Sequence, residues 1–241
     1  LYDENLVFDI PALRGLFFRN GKTFNTVITR SAHLSYKYNE VLSNYALKQY
    51  PEYKGMYASE EEDCARVKAK LVDDFFARLL DELESEGQLD NTVIIGITDH
   101  YTYGYKNMEE LYAHSGVTET LLLEKTPCFI WSSDSPSIEV DKTLNTADLL
   151  PTVLNLMGIE SEYSYLGQDA FDPNYDGYAY FPDGSWIAGG VACKVSSSGV
   201  PTVLYNKNDV ALTAEYYEKM AGAVQEFIHI SNRLLTSDYY S

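Results

Sequence analysis

Asn91-Thr92-Val93-Ile94-Ile95-Gly96-Ile97-Thr98-Asp99-His100-Tyr101 is the stretch on which the reading of this chain turns. It is a short apolar run, mostly β-branched, that follows a helical segment ending at Gly87. That pattern predicts a strand buried on both faces, as in the parallel sheets of α/β proteins. The run then ends on a carboxylate and an imidazole. In open α/β sheets the carboxyl ends of the strands border the crevice where ligands bind. A carboxylate oxygen beside a neutral imidazole nitrogen can hold a divalent cation there. Asp99 can also simply open a turn, with His100 a satisfied surface residue, but the position directly after a buried strand favours a site.

The residues before and within this stretch carry a resemblance. An amphipathic helix, then Gly-x-Leu-Asp-Asn-Thr-Val-Ile-Ile, then Asp-His-Tyr resembles the metal-binding strand of the alkaline phosphatase and sulfatase superfamily. The Asp-His-Tyr ending is similar to the lipoteichoic acid synthase-like branch, where sulfatases more often have Asp-His-Gly. A second segment supports it: Asp148-Leu149-Leu150-Pro151-Thr152, followed by Leu154-x-Leu156-Met157-Gly158-Ile159, resembles a helix common to sulfatase-like enzymes. The close of the chain, from Ile230 to Tyr240, is similar to the end of lipoteichoic acid synthase-like proteins.

Working toward the amino end, Ser59-Glu60-Glu61-Glu62 reads as a capping box with acidic residues in the first helical turn. Apolar positions Val67, Leu71, Val72, Phe75, Phe76, Leu79, Leu80 and Leu83 then recur at three and four, which predicts a helix to about Glu86 with Gly87 as its C′ residue. Such a helix is the crossover that lays the strand at 92–98 parallel to a neighbour; its charged positions read as a solvated face. That neighbour is expected at Thr23–Thr29, which alternates and is rich in β-branched residues. It leads to Arg30-Ser31-Ala32-His33, a second strand tip bearing an imidazole. The resembling family ends such a strand in a His followed by an aromatic; His33 with Tyr36 fits, while Leu34 and Ser35 stand where the family has Pro. His33 can equally be a plain capping residue. Asp9-Ile10-Pro11-Ala12-Leu13 predicts a first helical turn with Pro at its start. The Tyr-rich segment 38–57 predicts a short helix and a loop that either packs on its own domain or forms a rim for a sugar or glycerol group.

Working toward the carboxyl end, a polar and aromatic loop after Tyr101 leads to a short helix reaching His114, a further imidazole that can approach a metal although its spacing does not demand it. Thr126–Trp131 predicts a strand with Pro127 at its start. From residue 163 the texture changes to short strands joined by tight turns, Pro182-Asp183-Gly184 and Ser196-Ser197-Ser198-Gly199. These predict a small antiparallel sheet, on which a helical stripe from Tyr217 to Leu235 should pack. The expectation is thus an α/β fold, a mostly parallel sheet flanked by helices, with 1–162 as the carboxyl-terminal part of a sulfatase-like domain. Residues 163–241 form an appended antiparallel sheet and long helix on the same domain.

Composition narrows the function. Eighteen basic against thirty-six acidic residues give a formal charge of −18, which opposes nucleic acid and anionic membrane surfaces as partners. A phosphate-bearing substrate then needs a metal ion or local basic residues to reverse the sign. Cys64, Cys128 and Cys193 are far apart and odd in number, and read as small core residues and not as a disulfide framework. No stretch approaches the ~20 apolar residues that span a bilayer, and the start without Met reads as a piece of something longer.

The resemblance implies more. It implies a divalent metal, manganese or magnesium before zinc or calcium, held by Asp99 and His100, with His33 on the phosphate or sulfate of the substrate. It implies a Thr nucleophile, which no residue from 1 to 30 matches, so the isolated chain is expected to be inactive. It implies a phosphoglycerol transferase or phosphodiesterase acting on a phosphate-bearing lipid or glycan of the cell envelope. Such an enzyme works at the extracellular face of the membrane, anchored by transmembrane helices outside this chain and completed by an amino-terminal half. Sulfate ester hydrolysis, or a non-catalytic binding module keeping the fold, are the other readings.

Overall fold

The computed structural model describes residues 5–239, which divide into two compact units, Leu1–Pro136 and Ser137–Ser241. In the first, α1 (Leu6–Asp9) and α2 (Pro11–Phe17) precede α3 (Leu42–Gln49) and the 26-residue α4 (Glu60–Ser85). Then come β1 (Ile94–Ile97), α5 (Met108–Ser115), α6 (Thr120–Leu123) and β2 (Cys128–Trp131). Pro11 opens α2, where its missing N–H has no helical partner to lose. Ser59 caps α4 by accepting from the Glu62 N–H at 3.1 Å. The reciprocal half of the expected box is displaced by one residue, because the Glu62 carboxylate accepts from Ala58 N–H instead. At the other end Gly87 takes φ +65°, the left-handed geometry that only glycine adopts cheaply.

The apolar stripe of α4 closes two clusters. Phe75, Leu79 and Leu83 pack with Phe8 and Phe18 of the amino-terminal helices and with Ile94 of β1. Val67 and Leu71 pack with Ala46 of α3, and Tyr50 and Tyr53 close over them. The Tyr-rich segment therefore packs on its own unit: Tyr50 bonds Asp74, and Tyr57 lies under the Arg66 guanidinium at 4.7 Å.

The sheet corrects four expectations. β1 pairs with β2, and the pairing is antiparallel, Ile94 opposite Trp131 and Ile97 opposite Cys128. Residues 22–30 run without a ladder, with Phe24 90% and Ile28 79% exposed. β-branched alternation reports an extended backbone; a strand also needs a neighbour for its N–H and C=O groups, and no described residue supplies one here. Nor is β1 buried on both faces: Ile94 packs on the α4 cluster, while Ile97 on the other face is 54% exposed. Cys128, opposite Ile97, is exposed too, while Cys64 and Cys193 are buried as expected. Gly96 sits opposite Phe129, whose ring lies where a Cβ would be, 2.2 Å away. Only glycine lets that ring cross the ladder and meet Phe76 on α4, centroids 5.5 Å apart.

In the second unit α7 (Leu149–Leu156) precedes a four-stranded antiparallel sheet. Its strands are β3 (Tyr178–Tyr180), β4 (Trp186–Ala188), β5 (Val191–Val195) and β6 (Pro201–Asn206), in that spatial order. The long α8 (Ala214–Thr236) lays Met220 and Val224 on Trp186 and Cys193. α7 lies in this unit, ahead of the change of texture at 163, because its first turn is tied to the segment that follows. Asp148, 1% exposed, accepts from Asn145 N–H at 2.9 Å, Gln168 N–H at 2.8 Å and the Tyr175 hydroxyl at 2.9 Å. One turn on, the Thr152 hydroxyl donates to Asp148 O and accepts from Ala170 N–H. No helix among the described residues is long and apolar enough to cross a membrane.

Candidate functional site

Two residues past the end of β1 the chain turns at Asp99 and His100, and the loop after Arg30 brings His33 to the same place. Ligand atoms of His33, Asp99 and His100 all lie within 4.8 Å of one another, and the two imidazole rings are 5.8 Å apart. The convergence comes from turns at the ends of extended segments, one of them outside any sheet.

Each imidazole is set by its own backbone. His33 Nδ1 is 2.7 Å from Leu34 O, and His100 Nδ1 is 2.7 Å from Tyr101 O. A ring nitrogen facing a carbonyl must carry the proton, so in the neutral ring Nε2 holds the lone pair. His100 Nε2 is buried with no hydrogen-bond partner, and Asp99 Oδ2 stands 3.6 Å from it. Two electron-rich atoms facing each other without a proton between them fit a cation, and a buried polar atom left unpaired is otherwise costly. The group is thus suited to a divalent metal. Asp99 is 78% exposed at its side chain and free to take up such an ion; His100 is held beneath Tyr103, ring centroids 4.2 Å apart. Beside them is a cavity of about 130 Å³ lined in part by Thr98, His100, Tyr101, Thr102 and Lys125.

His114 does not join this group. Its Nε2 lies 3.0 Å from Glu62 Oε2, in a second cluster with Glu110 that ties the end of α5 to the start of α4. Ser59 and Tyr105 hydroxyls donate to Glu110, and Arg66 Nε donates to Glu62 at 2.9 Å. Burial pushes the Glu62 carboxyl up, but the bonds from Arg66, His114 and Ala58 N–H outweigh it and leave its pKa below the ordinary value. A carboxylate depressed in the folded state contributes stability above its unfolded pKa and loses it as pH falls through the folded value. The unfolding midpoint is therefore expected to drop as pH goes below the ordinary value of 4.5. Glu62→Gln should cost about 1–3 kcal/mol at pH 7 and flatten that acid limb. Thermal melts from pH 3 to 8 check this; an acid limb unchanged in the variant refutes it.

The helix reading missed the charges that α4 buries. Glu62, Asp63 and Lys68 are 3%, 5% and 1% exposed. Asp63 accepts from Gly55 and Tyr57 N–H groups. Lys68 donates to His33 O at 3.0 Å and Ser35 O at 2.7 Å. The signal was in the spacing: Lys68 falls four after Cys64 and three before Leu71, on the apolar stripe.

This fold and this cluster define a class. Residues 18–159, more than half of the chain, match the sulfatase family model, and the chain belongs to the sulfatase family. Curated relatives include lipoteichoic acid synthases of Staphylococcus aureus, 24% identical over 180 residues that cover 71% of this chain and 27% of theirs. The chain therefore spans 27% of the length of these relatives. Among solved structures it is similar to the lipoteichoic acid synthase LtaP of Listeria monocytogenes, TM-score 0.71 and 18% identity over 98% of this chain and 59% of that one. It is also similar to an alkaline phosphatase superfamily protein of Vibrio parahaemolyticus, TM-score 0.64 and 19% identity over 100% and 56%. At these identities the likeness is one of fold, and it bears out the α/β alkaline phosphatase-like architecture in part of its extent.

Proposed function

We propose that this chain is the carboxyl-terminal part of a sulfatase-family catalytic domain that transfers or hydrolyses phosphoglycerol groups on cell-envelope polymers. The observation that carries the reading is the convergence of His33, Asp99 and His100, with the His100 Nε2 lone pair buried and unpartnered. Asp99 and His100 would hold a divalent ion, manganese or magnesium, whose charge offsets the charge that develops on the phosphate oxygens. His33 contributes differently: once protonated at Nε2 it donates to a phosphate oxygen while its Nδ1 stays tethered to Leu34 O. Tyr101 and Tyr103, rings 5.7 Å apart beside His100, offer faces for a glycerol or sugar unit. The nucleophile, a Thr, belongs to an amino-terminal half outside this chain, and with it the transmembrane helices that would hold the domain at the extracellular face.

The test uses the natural protein that contains this chain, supplied with Mn²⁺ and fluorescent phosphatidylglycerol. Release of labelled diacylglycerol is expected, falling by at least about 100-fold in His100→Ala, since even residues outside the metal's immediate ligands cost 10–100-fold. Turnover of an aryl sulfate but not of the lipid would replace this reading with sulfate ester hydrolysis. Activity on neither would leave a binding module.

A further inference from the structure

The loop that carries His33 is gripped from beneath by a charge. Lys68 extends from α4, the longest helix of its unit, flanked on the same face by fully buried Val67 and by Leu71. Its ammonium donates to His33 O and to Ser35 O, and the Tyr36 ring lies 5.6 Å from it. Between those two carbonyls comes Leu34 O, which accepts from His33 Nδ1. Three successive carbonyls are thus assigned: the outer two to Lys68, the middle one to the imidazole.

The arrangement has a chemical consequence. With the peptide groups on either side held, Leu34 C=O is aimed at Nδ1, the ring is kept in its Nδ1–H form, and Nε2 is left for the space it shares with Asp99 and His100. Burying a lysine is expensive unless its protons are satisfied, and burial does push the Lys68 pKa down. A methionine would fill the same space at lower cost. No carboxylate lies within ion-pair distance of Lys68 among the described residues, although the chain carries a net −18. The ammonium is therefore held by carbonyl oxygens of this loop and not by an ion pair, which makes its role toward the loop positional.

We propose that Lys68 is a positioning residue for the oxyanion site: it clamps the carbonyls of His33 and Ser35 and thereby fixes the tautomer and direction of the His33 imidazole. The proposal rests on the assignment of His33 to a substrate oxyanion.

The experiment reads the ring directly. The 241-residue chain, labelled with ¹⁵N-histidine, is examined at pH 8 by long-range ¹H–¹⁵N correlation, as wild type and as Lys68→Met. In the wild type His33 should show the Nδ1–H pattern. In Lys68→Met that pattern should be lost toward the mixture of a free imidazole, while His100, tethered to Tyr101 O, keeps its own. Should Lys68→Met fail to fold, Lys68→Gln, uncharged, one atom shorter and with two coplanar amide protons in place of three ammonium protons, is read the same way. A wild-type His33 protonated at Nε2 overturns the proposal without any variant. So does a folded Lys68→Met with a lower unfolding midpoint and an unchanged His33 pattern, the result of a merely structural lysine. Adding inorganic phosphate at pH 6 with Mg²⁺, which is diamagnetic and leaves the histidine signals readable, separates the two readings. If phosphate leaves His33 unmoved while Lys68→Met alters its tautomer, the assignment of His33 to an oxyanion fails and the clamp stands. If phosphate shifts His33 but Lys68→Met does not, the clamp alone fails.

Discussion

Asp148→Ala is expected to lower the stability of the second unit by about 3–5 kcal/mol, the order expected when a buried carboxylate that accepts three hydrogen bonds is removed from its donors. The carboxylate is 1% exposed and accepts three hydrogen bonds, from the Asn145 and Gln168 N–H groups and the Tyr175 hydroxyl. Alanine leaves the buried Tyr175 hydroxyl and the Asn145 and Gln168 N–H groups without their acceptor, and it removes the residue that closes the capping box of the turn before α7. Nothing nearby can shift to compensate: a Cβ on Gly167 would already lie 2.1 Å from the Ala147 carbonyl, so the two backbones are in contact. For a unit of about one hundred residues the loss is a fall in unfolding midpoint of at least about 12 °C. Asp148→Asn keeps one acceptor oxygen and should lose roughly half as much. Calorimetry on the three proteins checks the order, and an alanine variant within 3 °C of wild type, a shift smaller than ~1 kcal/mol produces, would refute it.

That prediction also shows what the Asp-Leu-Leu-Pro-Thr segment does. It was legible in the sequence as a helix start and as a family signature, but not as the hub of a buried polar network. Gln168 and Tyr175 lie 20 and 27 residues away along the chain, and no local periodicity reports pairing at that range. The same limit explains the sheet. β1 was legible because an apolar run stops abruptly on polar residues, and the turn that follows puts Asp99 and His100 side by side. The direction of its partner was not, because α5 and α6 return the chain to β2 in reverse, and a run of β-branched residues specifies extension and not orientation. At Thr23–Thr29 the extension is present and the ladder is not.

The site divides along similar lines. Asp99 and His100 are neighbours in sequence, so their proximity needed no long-range inference. His33 comes from 66 and 67 positions earlier, and it was reached through the rule that ligand-bearing tips gather on one edge and the family resemblance of His33 with Tyr36. Lys68 was hidden by residue type. A lysine inside an amphipathic pattern is usually solvated, and its place on the buried stripe acquires meaning only once the carbonyls of the His33 loop are seen above it.

Manganese titration of the 241-residue chain is expected to show a dissociation constant in roughly the high-micromolar to millimolar range, about 4–6 kcal/mol. Among the described residues, the group within reach of one another offers three protein donors, His33, Asp99 and His100. If His33 is kept for substrate, only two remain. A hard divalent ion then retains several waters, and its affinity falls with the ligands it lacks. Asp99, largely exposed, must also be immobilised before it can bind. If the natural protein containing this chain has the proposed amino-terminal half, its donors should tighten binding, and Asp99→Ala should abolish that gain. Isothermal calorimetry at pH 7 gives both values. Tight stoichiometric binding by the chain alone would show that the Glu62, Glu110 and His114 cluster takes the ion after all, and Glu62→Gln would then remove it. An affinity unchanged by Asp99→Ala in the natural protein would remove the metal from the end of β1 altogether.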